Sequence, residues 1–166
     1  MRRRMVGITA VAALAAVFTL FGQAPALLGQ AANPTIGTWK LNLAKSRYDP
    51  ANLAPKSTTT KIEAVGASIK NTTTGTDSKG KAISYSYTAA YDGKDYPISG
   101  TGTPSGGDTI ALKRSDPNTV DSTVKKSGKV VQTSRTLYTS TLRTITSTGT
   151  SDTGQPTHNV SVYEKQ

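Results

Sequence analysis

The sequence has no cysteine, one histidine, and only ten acidic residues against twenty lysines and arginines. Without thiols there can be no disulfide framework, thiolate metal site, cysteine nucleophile or lipid-modified amino-terminal cysteine. A single imidazole, His158, removes most zinc sites as well. No Ser or Asp stands at a recognised triad spacing from it, so His158 reads as a surface strand residue. Phenylalanine is equally scarce: Phe18 and Phe21 are the only two, both close to the amino terminus. Gly100-Thr101-Gly102 leads into no helix and makes no phosphate cradle. A catalytic centre, a metal and a cofactor are therefore not expected.

What is present begins with a leader. Met1–Arg4 carries three arginines, Val6–Phe21 is uncharged and largely apolar, and small residues recur at Gly29 and Ala31. That order of basic, apolar and small-residue segments is the pattern of a secretory signal peptide. It places a signal peptide over residues 1–31, cleaved after Ala31 with Ala26 as second choice, and one domain over 32–166. Three of the twenty basic residues lie in the leader, which leaves the mature chain seven positive charges in excess. They are scattered, Lys125–Lys126 being the only adjacent pair, which suits a solvated surface better than a nucleic-acid groove. No nucleic-acid partner and no stable membrane anchor after cleavage are expected; a protein partner is not specified by the sequence.

From Pro34 onward the chain is rich in Thr, poor in helix-favouring runs, and punctuated by Gly, Asp, Asn and Pro at strand-length intervals. Ten strands are expected. The first carries Trp39, Leu41 and Leu43 on one face. The fourth carries Ile83, Tyr85, Tyr87, Ala89 and Tyr91 on one face, as a period of two requires. Asp92-Gly93 is a hairpin dipeptide before a short fifth strand whose Pro97 demands an edge or a bulge. Asp92 and Asp95 read as turn-holding carboxylates. The connection Ala44–Lys56, with Asp49-Pro50 and Pro55, has room for one or two helical turns at most. Thr74-Gly75-Thr76-Asp77 is echoed by Thr148-Gly149-Thr150-Ser151-Asp152, each before a turn. Sequential hairpins at this spacing predict an all-β antiparallel barrel or sandwich.

Gly37-Thr38-Trp39 on the first strand, the irregular segment after it, the hairpin meander, and Val162-Tyr163-Glu164-Lys165 on the last strand together resemble the calycins. That superfamily includes lipocalins and intracellular fatty-acid-binding proteins, and the chain looks most like small exported bacterial lipocalin-like proteins. The resemblance implies an up-and-down β-barrel of about 8–10 strands with the first and last strands paired. It assigns structural roles to Gly37 and to Trp39, which would plug one end. It also implies a small amphipathic or lipophilic ligand in the lumen.

Fatty-acid-binding proteins are similar in having an arginine seven residues after a glycine that opens the eighth strand, a spacing that runs here from Gly128 to Arg135. Val131, Thr133, Arg135 and Leu137 share one face; Val130, Ser134 and Tyr138 share the other, and a slip of one residue exchanges them. On the final strand the family's Arg-x-Tyr clamp is Ser161 and Tyr163, so the tyrosine is kept and the arginine is lost. The candidate ligand-binding residues are Arg135, Tyr163, Tyr85, Tyr87 and Arg114. The competing reading is a barrel filled by its own tyrosines that acts through its surface and loops as an envelope or secreted interaction module, inhibitor-like through Gly100–Gly107.

Overall fold

The computed structural model describes residues 33–151 and 153–166. The expected leader, residues 1–31, lies outside them. Eleven strands follow one another: β1 (Gly37–Leu41), β2 (Ser57–Val65), β3 (Ser68–Thr76), β4 (Ala82–Ala89), β5 (Asp92–Pro97), β6 (Ser99–Thr101), β7 (Thr109–Asp116), β8 (Thr119–Lys126), β9 (Lys129–Tyr138), β10 (Leu142–Thr150) and β11 (Pro156–Lys165). They form one antiparallel sheet in the order β5-β7-β8-β9-β10-β11-β1-β2-β3-β4-β6. The sheet rolls into a nearly closed up-and-down barrel, as expected.

The rolling follows from the side-chain period. In β2, Thr58, Thr60 and Ile62 are buried; in β3, Ile69, Asn71 and Thr73 are. The register sets Ile62 opposite Asn71 and Thr60 opposite Thr73, so both strands present their buried set to the same interior. Three of the buried polar groups there satisfy one another, while the Thr58 hydroxyl has no partner. Thr73 Oγ1 donates to Asn71 Oδ1 at 3.0 Å and lies 3.1 Å from Thr60 Oγ1, which leaves Thr60 as the donor of that pair. Opposite this polar wall, Ile110, Leu112, Val120 and Val124 of β7 and β8 supply the aliphatic one.

The first and last of these strands pair with each other. Trp39 pairs with Lys165, Lys40 with Glu164 and Leu41 with Tyr163. β1 ends at Leu41, so Leu43 does not continue the inward face. It stands 43% exposed in a 3-10 turn, Leu43–Lys45, whose first free N–H groups are met when Asn42 Oδ1 accepts from Lys45 N at 3.1 Å. The chain then returns to the sheet, where Arg47 and Val160 exchange backbone hydrogen bonds of 2.7 and 2.8 Å. A second short turn, Ala51–Leu53, completes the excursion, and these are the two turns the sequence allowed.

The expected fifth strand is two strands. The chain breaks at Ile98; β5 pairs with β7 and β6 with β4, so both lie at the free ends of the sheet. Pro97 has no ladder N–H to give, and the edge is where that costs nothing.

Candidate functional site

The barrel is closed at one end by Trp39, which is fully buried. Its indole Nε1 donates to the Thr35 carbonyl at 3.1 Å, and its ring meets Tyr138 edge-on with centroids 5.7 Å apart. Lys165 Nζ lies 5.2 Å from the indole centroid, while Gly37 leaves room for the lysine stem: a Cβ there would come within 2.6 Å of Lys165 Cε. Trp39 lies in the pairing of the first and last strands, opposite Lys165, and Gly37 two residues before it pairs with Ile62 of β2.

Above this floor stands a ring of tyrosines. β4 alternates Tyr85 and Tyr87 inward, β9 contributes Tyr138 and β11 Tyr163. Tyr48, on the segment that rejoins β11, accepts a hydrogen bond from Ser161 Oγ at 2.9 Å, and burial pushes its phenol up to about 12 against the pull of that bond. Burial also raises the phenols of Tyr85, Tyr87 and Tyr138 above the ordinary range. For Tyr87 and Tyr138 a neighbouring positive charge opposes the rise.

That charge is Arg143. β10 turns Arg143 and Ser147 inward, and the register sets Arg143 directly opposite Tyr138 on one side and Tyr163 on the other. Its guanidinium carbon lies 5.1 Å from the Tyr163 ring centroid and 5.9 Å from that of Tyr138. The side chain is 8% exposed, and its Nε and Nη1 have no hydrogen-bond partner. An internal cavity of about 80 Å³ adjoins it, lined by Tyr85, Tyr87 and Tyr138, by Asn71, Ser122 and Ser134, and by the aliphatic wall. Gln132 and Pro104 also touch the cavity. The loop that carries Pro104 is tied down where Ser105 Oγ donates to Gln132 Oε1 at 3.0 Å. On its other side a basin of about 420 Å³ opens at the mouth, lined by Ser105, Gln132, Thr157 and Asn159 among others.

The structure brings Tyr85, Tyr87 and Tyr163 together around this interior and leaves both predicted arginines out of it. Arg135 is corrected: its side chain is 68% exposed on the outer face, with Nε 2.7 Å and Nη2 3.1 Å from the two Asp121 oxygens. That fork holds the Asp121 carboxyl down to about 2. The inward residues of β9 are Ser134, Thr136 and Tyr138, while Leu137 is 51% exposed. From Gln132 to Tyr138 the alternation is unbroken and Arg135 falls on its outer face; the irregularity comes before it, at Val131. The β8–β9 register shifts between Val124 and Lys125, so Val131 packs partly against the core although Arg135, in phase with it, points out. Arg114 is half-buried at the Trp39 end, its guanidinium 4.2 Å over the Tyr91 ring, with Nη1 donating to the Pro117 carbonyl at 3.3 Å and Nη2 to Asn33 Oδ1 at 3.5 Å. It does not line the cavity.

His158 is exposed, and Asp92, expected in a hairpin turn, instead opens β5 at a register irregularity, where it accepts from Lys94 N at 3.1 Å and Tyr96 Oη at 3.0 Å. Asp95 instead pairs with Lys125 at 2.7 Å. Among the described residues no cluster of acids and imidazoles is arranged to hold a metal, and no helix is long and apolar enough to cross a membrane. No protein-family model matches the chain, and a search of curated proteins finds no match.

Proposed function

We propose that the chain is an exported, non-catalytic, lipocalin-like protein of the calycin superfamily that takes a small amphipathic molecule into its barrel. The single observation behind this reading is the internal cavity, whose lining mixes aliphatic side chains with hydroxyls and amides and includes one cation. An amphipathic guest is the chemistry such a surface complements. At about 80 Å³ the chamber suits a short molecule and not a long alkyl chain. The signal-peptide pattern of residues 1–31 supports a secreted or periplasmic location in a bacterial-type envelope, with no lasting membrane anchor and no nucleic-acid partner.

A second reading keeps a specific observation on its side. Five tyrosines and Trp39 occupy much of the interior, and about 80 Å³ is below the ~300–1,000 Å³ of ordinary ligand pockets. A filled barrel of this kind would work through its outer surface as an envelope or secreted interaction module. Native mass spectrometry of the mature protein, purified gently from its own host, separates the two. The carrier reading expects a stoichiometric small-molecule adduct that disappears on denaturation. A bare mass that stays bare after incubation with host lipid and metabolite extract sinks it and leaves the filled barrel.

A further inference from the structure

Arg143 is the one charged residue lining the cavity, and no carboxylate lines it. The ion pairs seen among the described residues lie on the outside: Arg135 with Asp121, Lys125 with Asp95, Lys94 with Asp92, Lys45 with Glu164 and Lys61 with Glu63. A guanidinium removed from water keeps its charge, since it cannot be deprotonated in a protein. Tyrosine faces at 5.1 and 5.9 Å offer it cation–π attraction, and the Tyr138 phenol is within reach of a hydrogen bond from it, yet Nε and Nη1 stay without a partner. Two of its nitrogens are left buried and unpaired, which is a costly arrangement for a fold to keep without a counter-group.

We infer that Arg143 is a recognition group for the carboxylate of a compact organic acid held in the barrel cavity. The inference rests on the carrier reading above and gives it a substrate class. Three features select within the anions. One positive charge, with no second lysine or arginine on the lining, balances a monoanion; a doubly charged phosphate would carry a net negative charge into the interior. The hydroxyls of Ser122, Ser134 and Thr136 and the amides of Asn71 and Gln132 supply donors for a second oxygen or a substituent. Ile69, Ile110, Leu112 and Val120 face the same space and suit a short apolar body, which a bare inorganic ion lacks. The size excludes long chains, because about 80 Å³ holds a few waters or a small acid.

The position is independent of the arginines the family resemblance pointed to. It stands on β10, whereas the resemblance looked to the strand that is β9 here and to β11. What fixes it is geometry: in an antiparallel ladder directly opposed residues share a face, so the inward Tyr138 and Tyr163 carry Arg143 inward between them.

Butyrate, its neutral analogue butyramide, and sodium chloride at matched ionic strength test the site by thermal denaturation and titration calorimetry of the mature protein. Butyrate should raise the wild-type Tm saturably, as a ligand of the folded state does, while butyramide and chloride do not. Arg143→Met should weaken butyrate binding at least about tenfold, the weight of a charge-assisted hydrogen bond. It should also unfold at a Tm no lower than wild type in the absence of butyrate, because a buried charge without a partner has been removed. Equal responses to butyrate and butyramide, no response to butyrate, or an undiminished response in Arg143→Met would each overturn the inference and identify the unpaired nitrogens as water-solvated. Should Arg143→Met fail to fold, the wild-type contrast between butyrate and butyramide decides alone. A neutral adduct in native mass spectrometry, with no carboxylate response, would leave the carrier reading standing and remove only this site.

Discussion

At the scale of single residues, the interior is defined by phenols that are buried or half-buried and by one buried guanidinium. The phenol of Tyr48 is held up to about 12, and those of Tyr85, Tyr87 and Tyr138 are raised by burial, whereas an unfolded chain ionises its tyrosines near pH 10. The folded state therefore keeps protons that the unfolded state gives up. Their contribution to stability is complete below about pH 10 and is lost as pH rises through the folded values. An ultraviolet titration should show part of the seven tyrosines ionising only as the native fluorescence of Trp39, the sole tryptophan, is lost. If all seven ionised together near pH 10 with the fold intact, the interior would have to be wet. Alternation along an unbroken strand made the shared face of Tyr85 and Tyr87 legible, whereas Tyr163 was pointed to by the resemblance on the final strand. It misdirected the choice of arginine because Val131 and Leu137 flank Arg135 in phase, and nothing local announces the bulge that gives Val131 and Arg135 opposite fates. Arg143, between Leu142 and Thr144 with Ile145 beyond, looks like an ordinary surface residue until its hairpin register is known.

Among the elements, the echo between the two Thr-Gly-Thr stretches has a concrete meaning. Each precedes the same turn: Asp77 N donates to the Lys81 carbonyl and Gly80 N to the Asp77 carbonyl, and Ser151 N donates to the Gln155 carbonyl and Gly154 N to the Ser151 carbonyl. The glycines do two different jobs. Gly154 sits at φ +82 with open space around it, so a side chain there meets only backbone strain. Gly149 lies within the ladder, and a Cβ would come 2.4 Å from the Val131 carbonyl oxygen, where the strands approach most closely. Gly154→Ala should cost about 1 kcal/mol in urea unfolding, and Gly149→Ala clearly more, with the native near-ultraviolet spectrum disturbed only in the second. Equal losses would mean that the β9–β10 contact yields more easily than its geometry indicates. Most strand bounds were legible from turn residues alone; the break at Ile98 was not, since Pro97 signals an edge without saying that the next residues cross to the opposite end of the sheet.

For the whole molecule, all-β class, hairpin order and the pairing of first with last strand followed from pattern and resemblance, while the seam and the size of the lumen did not. A seam depends on where the sheet stops pairing, and a volume depends on which side chains fill it; both are sums over distant parts of the chain. Removing residues 156–166 tests closure directly. β1 and β10 would each lose a partner, Trp39 would lose the Lys165 side of its cover, and Arg143 would lose Tyr163. The expected result is a chain without a cooperative urea transition, read by Trp39 fluorescence. A sharp transition in the truncated chain would show that the remaining hairpins stand without closure.

That same pairing of β1 with β11 also orders events in time. Hairpins form between neighbours and need only short loops to close, whereas the contact of Trp39 with Lys165 joins opposite ends of the described chain and bears the largest closure entropy in the molecule. Synthesis delivers the strands in numerical order, so every local pairing is available before the last strand exists. Until β11 arrives, β1 and β10 are open edges on a threonine-rich sheet, able to pair with a neighbouring chain as readily as with their own missing strand. The ten residues of β11 therefore set the moment at which the nascent protein stops being a template for others and pairs its own open edges.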